Sequence, residues 1–589
     1  MLKKIATLTV VLTLFSACTK SSNSNEKVLY VVSEALIKGL NPHNTGDTYS
    51  SVEATRVYEG LLQFHYLKRP YELEPNLATA MPKVSDGGKT YTFTLKKGIL
   101  FHDNKCFEGG VGREMKAADV VYSMKHMANP VETYQGFWLV DGKLKGLNEW
   151  RKKNSGKKFS EVNWDEKVEG VQALDDYTVQ FKLNNPSPQF LYALAMSYTF
   201  VIARECREYY GQEFLNNPVG TGPYMTGTYT RGSKIVYTKH PKYRDEYYPT
   251  EGAPGDKEKG FLKDAGKKIP FADKVVVSIQ PESQPRWLNF EKGKLDYTVV
   301  DKDNMAGSIT PDKGLIDRYT KKGILLDVTP DLDVTFTAFN FDVPLLRDNP
   351  KLRQAMSMAY NIDKSIELFY PNGRAIKANG PVPPGIGGYD ESFKNPYTEY
   401  NLEKAKKLLA EAGFPNGKGL PQITLDLNNT TVYRQMAEYF RKQMAKIGVQ
   451  IKVIHNTWPQ LTQKVKKRQV MLYSMAWLGD YPDAENFLQL FYGKNISPGP
   501  NGANYDMPWF NKAFEKYTQM QPGPERTKKY VELNQKIAKE VPWILGVHRT
   551  SFEVKHGWLK NYKYSTFNYG NVKYWDVDVA ARNEQRKKL

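Results

Sequence analysis

Two spacings of apolar residues divide the chain. A period of two appears at 91–95, 178–183 and 274–279, and a short continuous apolar run, Val28-Leu29-Tyr30-Val31-Val32, precedes them. Alternation places every second side chain on one face, and a short apolar run has the character of a buried strand, so four strands are predicted. Two of them follow turn signals, Asp86-Gly87-Gly88 and Asp175-Asp176. The helical period dominates later. From Lys351, the positions Leu352, Ala355, Met356, Ala359, Ile362, Ile366 and Phe369 keep to one helical face, with Asn349 as N-cap and Pro350 in the first turn. A second helix runs over 401–412 and stops at Gly413. A strand at 423–427, a helix over about 433–447 ended by Gly448, and a strand at 449–454 then form a β-α-β unit, which implies a parallel crossover and a mixed α/β lobe. The polar stretches 141–168 and 250–269 read as surface insertions, and no internal repeat is found.

The amino terminus departs from this pattern. Lys3 and Lys4 precede an apolar stretch at 5–14, and Phe15-Ser16-Ala17 leads to Cys18. Residues 1–17 read as a secretory signal, too short to span a bilayer. A Cys after Ser-Ala resembles a lipobox, in which Cys18 is acylated, although the usual Leu three positions earlier is Phe15; ordinary cleavage near Ala17 is the alternative. The polar tract that follows is expected to be a flexible tether over 18–26, with lipid as the only membrane attachment. The mature chain is then extracytoplasmic, where disulfides persist. Cys106 and Cys206 remain as an even pair, either bonded to each other or buried as free thiols.

At 589 residues the chain is long enough for several domains, and its 25% charged and 40% apolar residues are ordinary for a soluble globular protein. The net charge of +19 comes from Lys and Arg spread along the chain in short clumps at 151–153, 157–158, 464–468 and 586–588. Nucleic-acid binding requires cations gathered on one face, so no nucleic-acid partner is expected. The 38 Tyr, 27 Phe and 10 Trp are a surplus that would suit ligand contact as well as core packing.

Catalytic signatures are missing: there is no HExxH, GxSxG, Walker loop, GxGxxG or CxxC. The eight His are scattered, and Asp331 and Asp333 begin like a calcium loop but lack its Gly and closing Glu. The expectation is no catalytic residue, no metal and no cofactor.

Several separated stretches read together. They include Glu74-Pro75-Asn76-Leu77-Ala78, Asp86-Gly87-Gly88-Lys89-Thr90-Tyr91, Ala118-Asp119-Val120-Val121-Tyr122-Ser123, NPVGTGPY at 217–224, Leu352-Arg353-Gln354-Ala355 and Trp477-Leu478-Gly479-Asp480-Tyr481. Over about 27–580 the chain resembles the dipeptide- and oligopeptide-binding branch of the bacterial extracellular solute-binding proteins of family 5, the receptors that feed ABC importers. The resemblance implies an α/β, two-lobed periplasmic-binding-protein-like clamp (type II, cluster C) with mixed sheets and an inserted subdomain. Lobe I would comprise 27–67, 214–335 and 543–589, the subdomain 68–213 and lobe II 336–542, with a hinge near 335 and 542. It implies a monomeric receptor that binds a peptide between the lobes and delivers it to membrane permease subunits.

The same resemblance puts Asp480 where the family receives the ligand's α-amino group and Trp477 where a tryptophan packs on the ligand, with Tyr481 beside them. Asp480 as a loop acid that caps a helix or faces solvent is the competing reading. Gly220, Gly222 and Pro223 are expected to impose a φ-restricted turn between lobes. Some oligopeptide receptors carry an Arg six residues before the acid, to hold the ligand carboxylate; here that position is Ser474. Lys464, Lys466, Lys467 and Arg468 are candidate substitutes or a solvated edge. A non-peptide ligand (metal chelate, haem or oligosaccharide) remains an alternative within the fold, and a secreted hydrolase or sensory lipoprotein outside it.

Overall fold

The computed structural model describes residues 25–132, 134–567 and 570–589. The signal segment and Cys18 lie outside the described residues. Strands far apart in sequence meet in mixed sheets. Val28–Ser33 pairs in parallel with Lys274–Ile279, which continues antiparallel to Lys234–Lys239 and then Tyr224–Thr230. Leu29, Val31, Val275 and Val277 fill the covered face, the outcome that alternation requires. A separate four-stranded sheet joins Lys83–Ser85, Thr90–Thr94, Thr178–Lys182 and Val171–Asp175.

The β-α-β unit forms with its strands lengthened to Ile423–Asn428 and Ile451–Asn456, paired in parallel around the helix Thr431–Ala445. It lies in a five-stranded sheet in the order 451–456, 423–428, 472–478, 333–339, 543–545. The predicted long helix after Asn349 is instead two helices, Pro350–Ala359 and Ile362–Phe369. Asn361 breaks it, because its side chain accepts the Lys364 backbone N–H as a fresh N-cap. Asn349 and Asn401 cap their helices in the same way.

The chain crosses twice between the five-stranded sheet and the group formed by Ile324–Pro330, Tyr297–Val299 and Val547–His556. One crossing is at Asp331 and Leu332; the other is at Gly546, just past Trp543–Leu545. Gly546 must be glycine, since a Cβ there would lie 2.3 Å from Thr335 Oγ1 on the other crossing strand.

Two expectations change. Gly220 and Gly222 do not adopt left-handed backbone; they are glycines because a Cβ would lie 2.1 and 2.6 Å from the carbonyl oxygen of Val57. The NPVGTGPY block is scaffold, with Val219 N–H donating to the Tyr58 hydroxyl (3.1 Å) and Thr221 Oγ1 to Glu59 (3.1 Å). The 141–168 stretch is not a surface insertion throughout: Trp150 and Trp164 are buried with ring centroids 5.5 Å apart. The Cys106 and Cys206 sulfurs are at bonding distance, 1.97 Å, across 100 residues.

Candidate ligand-binding site

Between the lobes lies a cavity of about 480 Å³, within the size range of ligand sites. One wall comes from segments beside the Val28–Ser33 and Lys274–Ile279 strands, with Glu34, Tyr49 and Arg286; the facing wall comes from the five-stranded sheet and its helices, with Tyr433, Trp458, Trp477 and Asp480. Ring contacts tie the two sides together. Tyr192 stacks on Tyr481 at 5.5 Å, and Tyr49 meets Trp458 edge-on at 6.2 Å.

The strand Leu472–Leu478 carries the predicted site. On one side it pairs along its whole length with Asp333–Phe339; on the other it pairs with Ile423–Asn428 only at Leu472 and Tyr473. From Ser474 onward that second backbone edge is open among the described residues, and Ser474, Met475, Ala476 and Trp477 line the cavity. An open strand edge presents unpaired backbone donors and acceptors to whatever enters.

Asp480 follows two residues after this strand. Its backbone N–H donates to Asn486 Oδ1 (2.9 Å), as does Trp477 Nε1 (2.9 Å), while Asn486 Nδ2 donates to Asp480 Oδ2 (3.2 Å). Asn486 is fully buried, so one amide positions both residues. Sequence reading did not single it out, because an Asn nine residues after a Trp has no recognisable spacing. Asp480 makes no ion pair among the described residues, and burial pushes its carboxyl up to about 7, with only the Asn486 bond opposing. A desolvated acid without a cation among the described residues is chemically suited to receive an ammonium.

Trp477 lines the cavity as expected; Tyr481 does not. Tyr481 is 2% exposed, absent from the cavity wall and engaged in its stack with Tyr192, because the turn at Gly479 and Asp480 sends neighbouring side chains in different directions. The aromatic surplus instead reaches the cleft through residues that sequence reading left unassigned, among them Tyr49, Trp138, Tyr198, Tyr370, Tyr433 and Trp458.

Ser474 holds its hydroxyl 2.7 Å from Thr337 Oγ1 and supplies no charge. Of the nearby cations, Lys464 pairs with buried Asp426 (2.8 Å) and Arg468 donates to the Ser497 carbonyl (2.7 Å); only Lys466 lines the cleft. Further cations arrive from elsewhere. Arg286 pairs with Asp301 (2.6 Å) and Glu34 (3.7 Å), Arg549 pairs with Asp333, and Arg374 has a buried, unpartnered Nε. Burial lowers the Arg374 pKa, and Asp301 opposes it. No group of three or more His, Cys, Asp or Glu converges on a metal position among the described residues, and none of their helices is long and apolar enough to cross a membrane.

A two-lobed α/β fold that encloses an aromatic cleft with an open strand edge defines a ligand-binding clamp. Residues 72–499 match "Bacterial extracellular solute-binding proteins, family 5 Middle", and the chain belongs to this family. It is 30% identical over 575 residues to the dipeptide-binding protein of Escherichia coli (strain K12), covering 95% of this chain and 96% of that one. It is 27% identical to heme-binding protein A of Haemophilus influenzae, covering 96% and 98%. Among solved structures, the ABC transporter-associated periplasmic binding protein DppA from Helicobacter pylori, in complex with peptide STSA, superposes with a TM-score of 0.76 at 26% identity over 94% of this chain and 98% of that one.

Proposed function

We propose that the chain is an extracytoplasmic receptor of an ABC importer, which binds short peptides between its lobes, passes them to membrane permease subunits and performs no chemistry on them. The observation that carries this reading is the unpaired Asp480 carboxyl at the end of a strand whose backbone edge is open in the cleft. A peptide lying there would extend the sheet through its main chain, give its α-ammonium to Asp480 and leave its side chains against Trp477 and the other rings. Relatives named dipeptide-binding proteins and a neighbour solved with a bound peptide support the same ligand class. The heme-binding relative keeps a haem ligand as an alternative, but no histidine lines the cleft among the described residues, so a peptide is preferred.

The proposal includes a signal segment at 1–17, acylated Cys18 on a tether over 18–26, a Cys106–Cys206 disulfide and a monomer. It keeps lobe I as 27–67, 214–335 and 543–589, the subdomain as 68–213 and lobe II as 336–542. The 83–182 sheet, confined to the subdomain, supports this division; the strands 333–339 and 543–545, which pair in one sheet, favour lobe II bounds widened by three residues at each end, to 333–545. Native mass spectrometry of protein purified without refolding is expected to show bound peptides, and calorimetry is expected to show binding of free but not N-acetylated peptides. Equal binding of both, or hydrolysis of the peptide, would overturn the reading.

A further inference from the structure

Cations that are spread along the sequence gather at one place in the fold. Lys292 and Lys294 flank Gly293, just past the helix Ser283–Glu291; Arg318, Lys321 and Lys322 lie in and after the short helix Asp317–Thr320; Arg586, Lys587 and Lys588 close the C-terminal helix Val579–Arg586. Hydrogen bonds hold the three segments together. Arg586 Nε donates to the Gly293 carbonyl (3.0 Å), Gln585 Nε2 to the Lys322 carbonyl, and Lys322 Nζ to a C-terminal oxygen of Leu589 (3.4 Å).

Positive charge is in excess here. Glu291 pairs with Arg318 (2.9 Å), Asp317 with Lys321 (3.6 Å) and Glu584 with Lys587 (2.7 Å), and the C-terminal carboxylate lies by Lys322. Lys292, Lys294 and Lys588 are exposed and make no ion pair among the described residues. Buried His556 registers the concentration. Burial first, and then the charges of Arg586, Arg582 and Lys322, pull its imidazole down to about 4 against its bond to the Phe290 carbonyl.

The chain enters the fold beside the same helix. Arg582 Nη1 donates to the Val28 carbonyl (2.7 Å), and the guanidiniums of Arg582 and Arg586 both lie over the Tyr30 ring, at 5.3 and 5.5 Å. Four helical residues rise only about 6 Å, so the start of the strand Val28–Ser33 is on the order of 10 Å from the cationic surface. Residues 18–26 span at most about 30 Å when extended. A lipid on Cys18 would therefore bring a bilayer within reach of this surface, whatever other partner is present.

We propose that this surface rests on the anionic headgroups of the membrane that holds the Cys18 lipid, so that the receptor has a charged contact besides its acyl chains and is oriented by it. The lipid half rests on the acylated Cys18 proposed above; the charge half does not.

The test is vesicle co-sedimentation of the full mature chain with Cys18→Ser, so that no acyl chain contributes. The vesicles are phosphatidylcholine alone or with about one part in three phosphatidylglycerol. Binding is expected only with the anionic lipid, and about 1 M salt, where the Debye length is about 3 Å, should abolish it. Lys292→Gln, Lys294→Gln and Lys588→Gln combined should weaken it roughly a hundredfold, about fivefold for each cation near the surface. Lys152→Gln, Lys153→Gln and Lys158→Gln remove the same charge from the 151–158 clump and should leave it within about threefold. Both triple variants should bind peptide as wild type does. In the acylated protein, a fluorophore on Asn583→Cys, an exposed position of the C-terminal helix, should be quenched by headgroup-labelled lipid only when phosphatidylglycerol is present. Equal binding to both vesicles, binding to neither, or equal losses in the two triple variants would overturn the proposal. Retention on duplex DNA through the same three lysines, without vesicle binding, would do so too. Absence of lipid on Cys18, read by mass spectrometry, would overturn the acylation reading and this orientation with it, and is distinguishable because the Cys18→Ser vesicle results do not depend on it.

Discussion

Two aspartates stand at the same end of the same pair of strands and have opposite surroundings. Asp333 opens the strand that pairs with Leu472–Leu478, directly opposite Leu478; Asp480 lies two residues beyond Leu478. Asp333 is fully buried, accepts the Arg549 backbone N–H at 2.9 Å and pairs with its guanidinium. Burial opposes the Arg549 charge, yet Asp333 and Asp331 override it and hold the guanidinium well above the ordinary arginine value. Asp480 has one amide and, among the described residues, no cation. An acid whose partner is built into the fold serves the crossing between lobes; one left without a partner costs stability until a ligand brings the cation. Burial alone does not separate structural acids from binding acids, but the presence or absence of a counter-charge does.

The largest effect should come from breaking the satisfied pair. Asp333→Ala removes the fully buried partner of an ion pair whose guanidinium is 35% exposed and leaves the Arg549 backbone N–H without its acceptor, and it is expected to lower stability by about 2–4 kcal/mol in urea unfolding. Asp480→Ala, at pH 8 and without ligand, should change stability by less than about 1 kcal/mol or raise it. Comparable losses at both sites would erase the contrast. In binding the order reverses: Asp480→Ala is expected to weaken a free-amino peptide by on the order of 2–5 kcal/mol, roughly thirty-fold to several thousand-fold by calorimetry, and unchanged affinity would remove Asp480 from the site.

The pH dependence is smaller per unit and has a definite sign. With its carboxyl near 7 in the free protein, Asp480 is protonated below that pH, and an arriving ammonium must expel the proton. Affinity should fall about tenfold for each pH unit below 7, with proton release seen as a dependence of the measured heat on buffer ionisation enthalpy. Stability of the empty protein runs the other way. The folded carboxyl keeps a proton that the unfolded chain, at the ordinary 3.8, has released, so ionising Asp480 costs stability as pH rises from about 4 to 7. Burial raises Glu485, Glu553 and Asp301 into the same window, so Asp480→Asn should remove only the share of one group from that slope, and a variant with the wild-type slope would show that Asp480 does not titrate there.

How much of this was legible in the sequence differs along the chain. Alternation and capping are local, so the strands at 274–279 and 423–428 and the caps at Asn349 and Asn401 follow from neighbouring residues. The break at Asn361 is local too, but the apolar face continues across it and conceals it. Asp480 and Trp477 were found through a motif. Lys466 was offered only as one of four cations near Ser474, and Asn486, Arg374 and the aromatic walls were not found, since they meet only after distant segments close over one space. Gly220 and Gly222 show the same limit from the other side: their glycine character belongs to Val57, more than 160 residues away, and not to any turn of their own.

Tyr481 gives the smallest and most discriminating test, because it is adjacent to Asp480 in sequence and separated from the cleft in space. Its ring stacks parallel to Tyr192, 5° between planes, and is 2% exposed. Such a contact is worth about 0.5–1.5 kcal/mol beyond the area it buries, and replacing the ring by phenyl preserves the stack. Tyr481→Phe removes a hydroxyl that bonds Asn486 but leaves Asn486 its own bonds to Asp480, so peptide affinity should stay within about threefold of wild type. Trp477→Ala, which removes a ring from the cavity wall, should weaken the same peptide more. If instead Tyr481→Phe costs as much as Trp477→Ala, the tyrosine hydroxyl acts on the ligand or on Asp480, and the cleft wall extends one residue further than the fold places it.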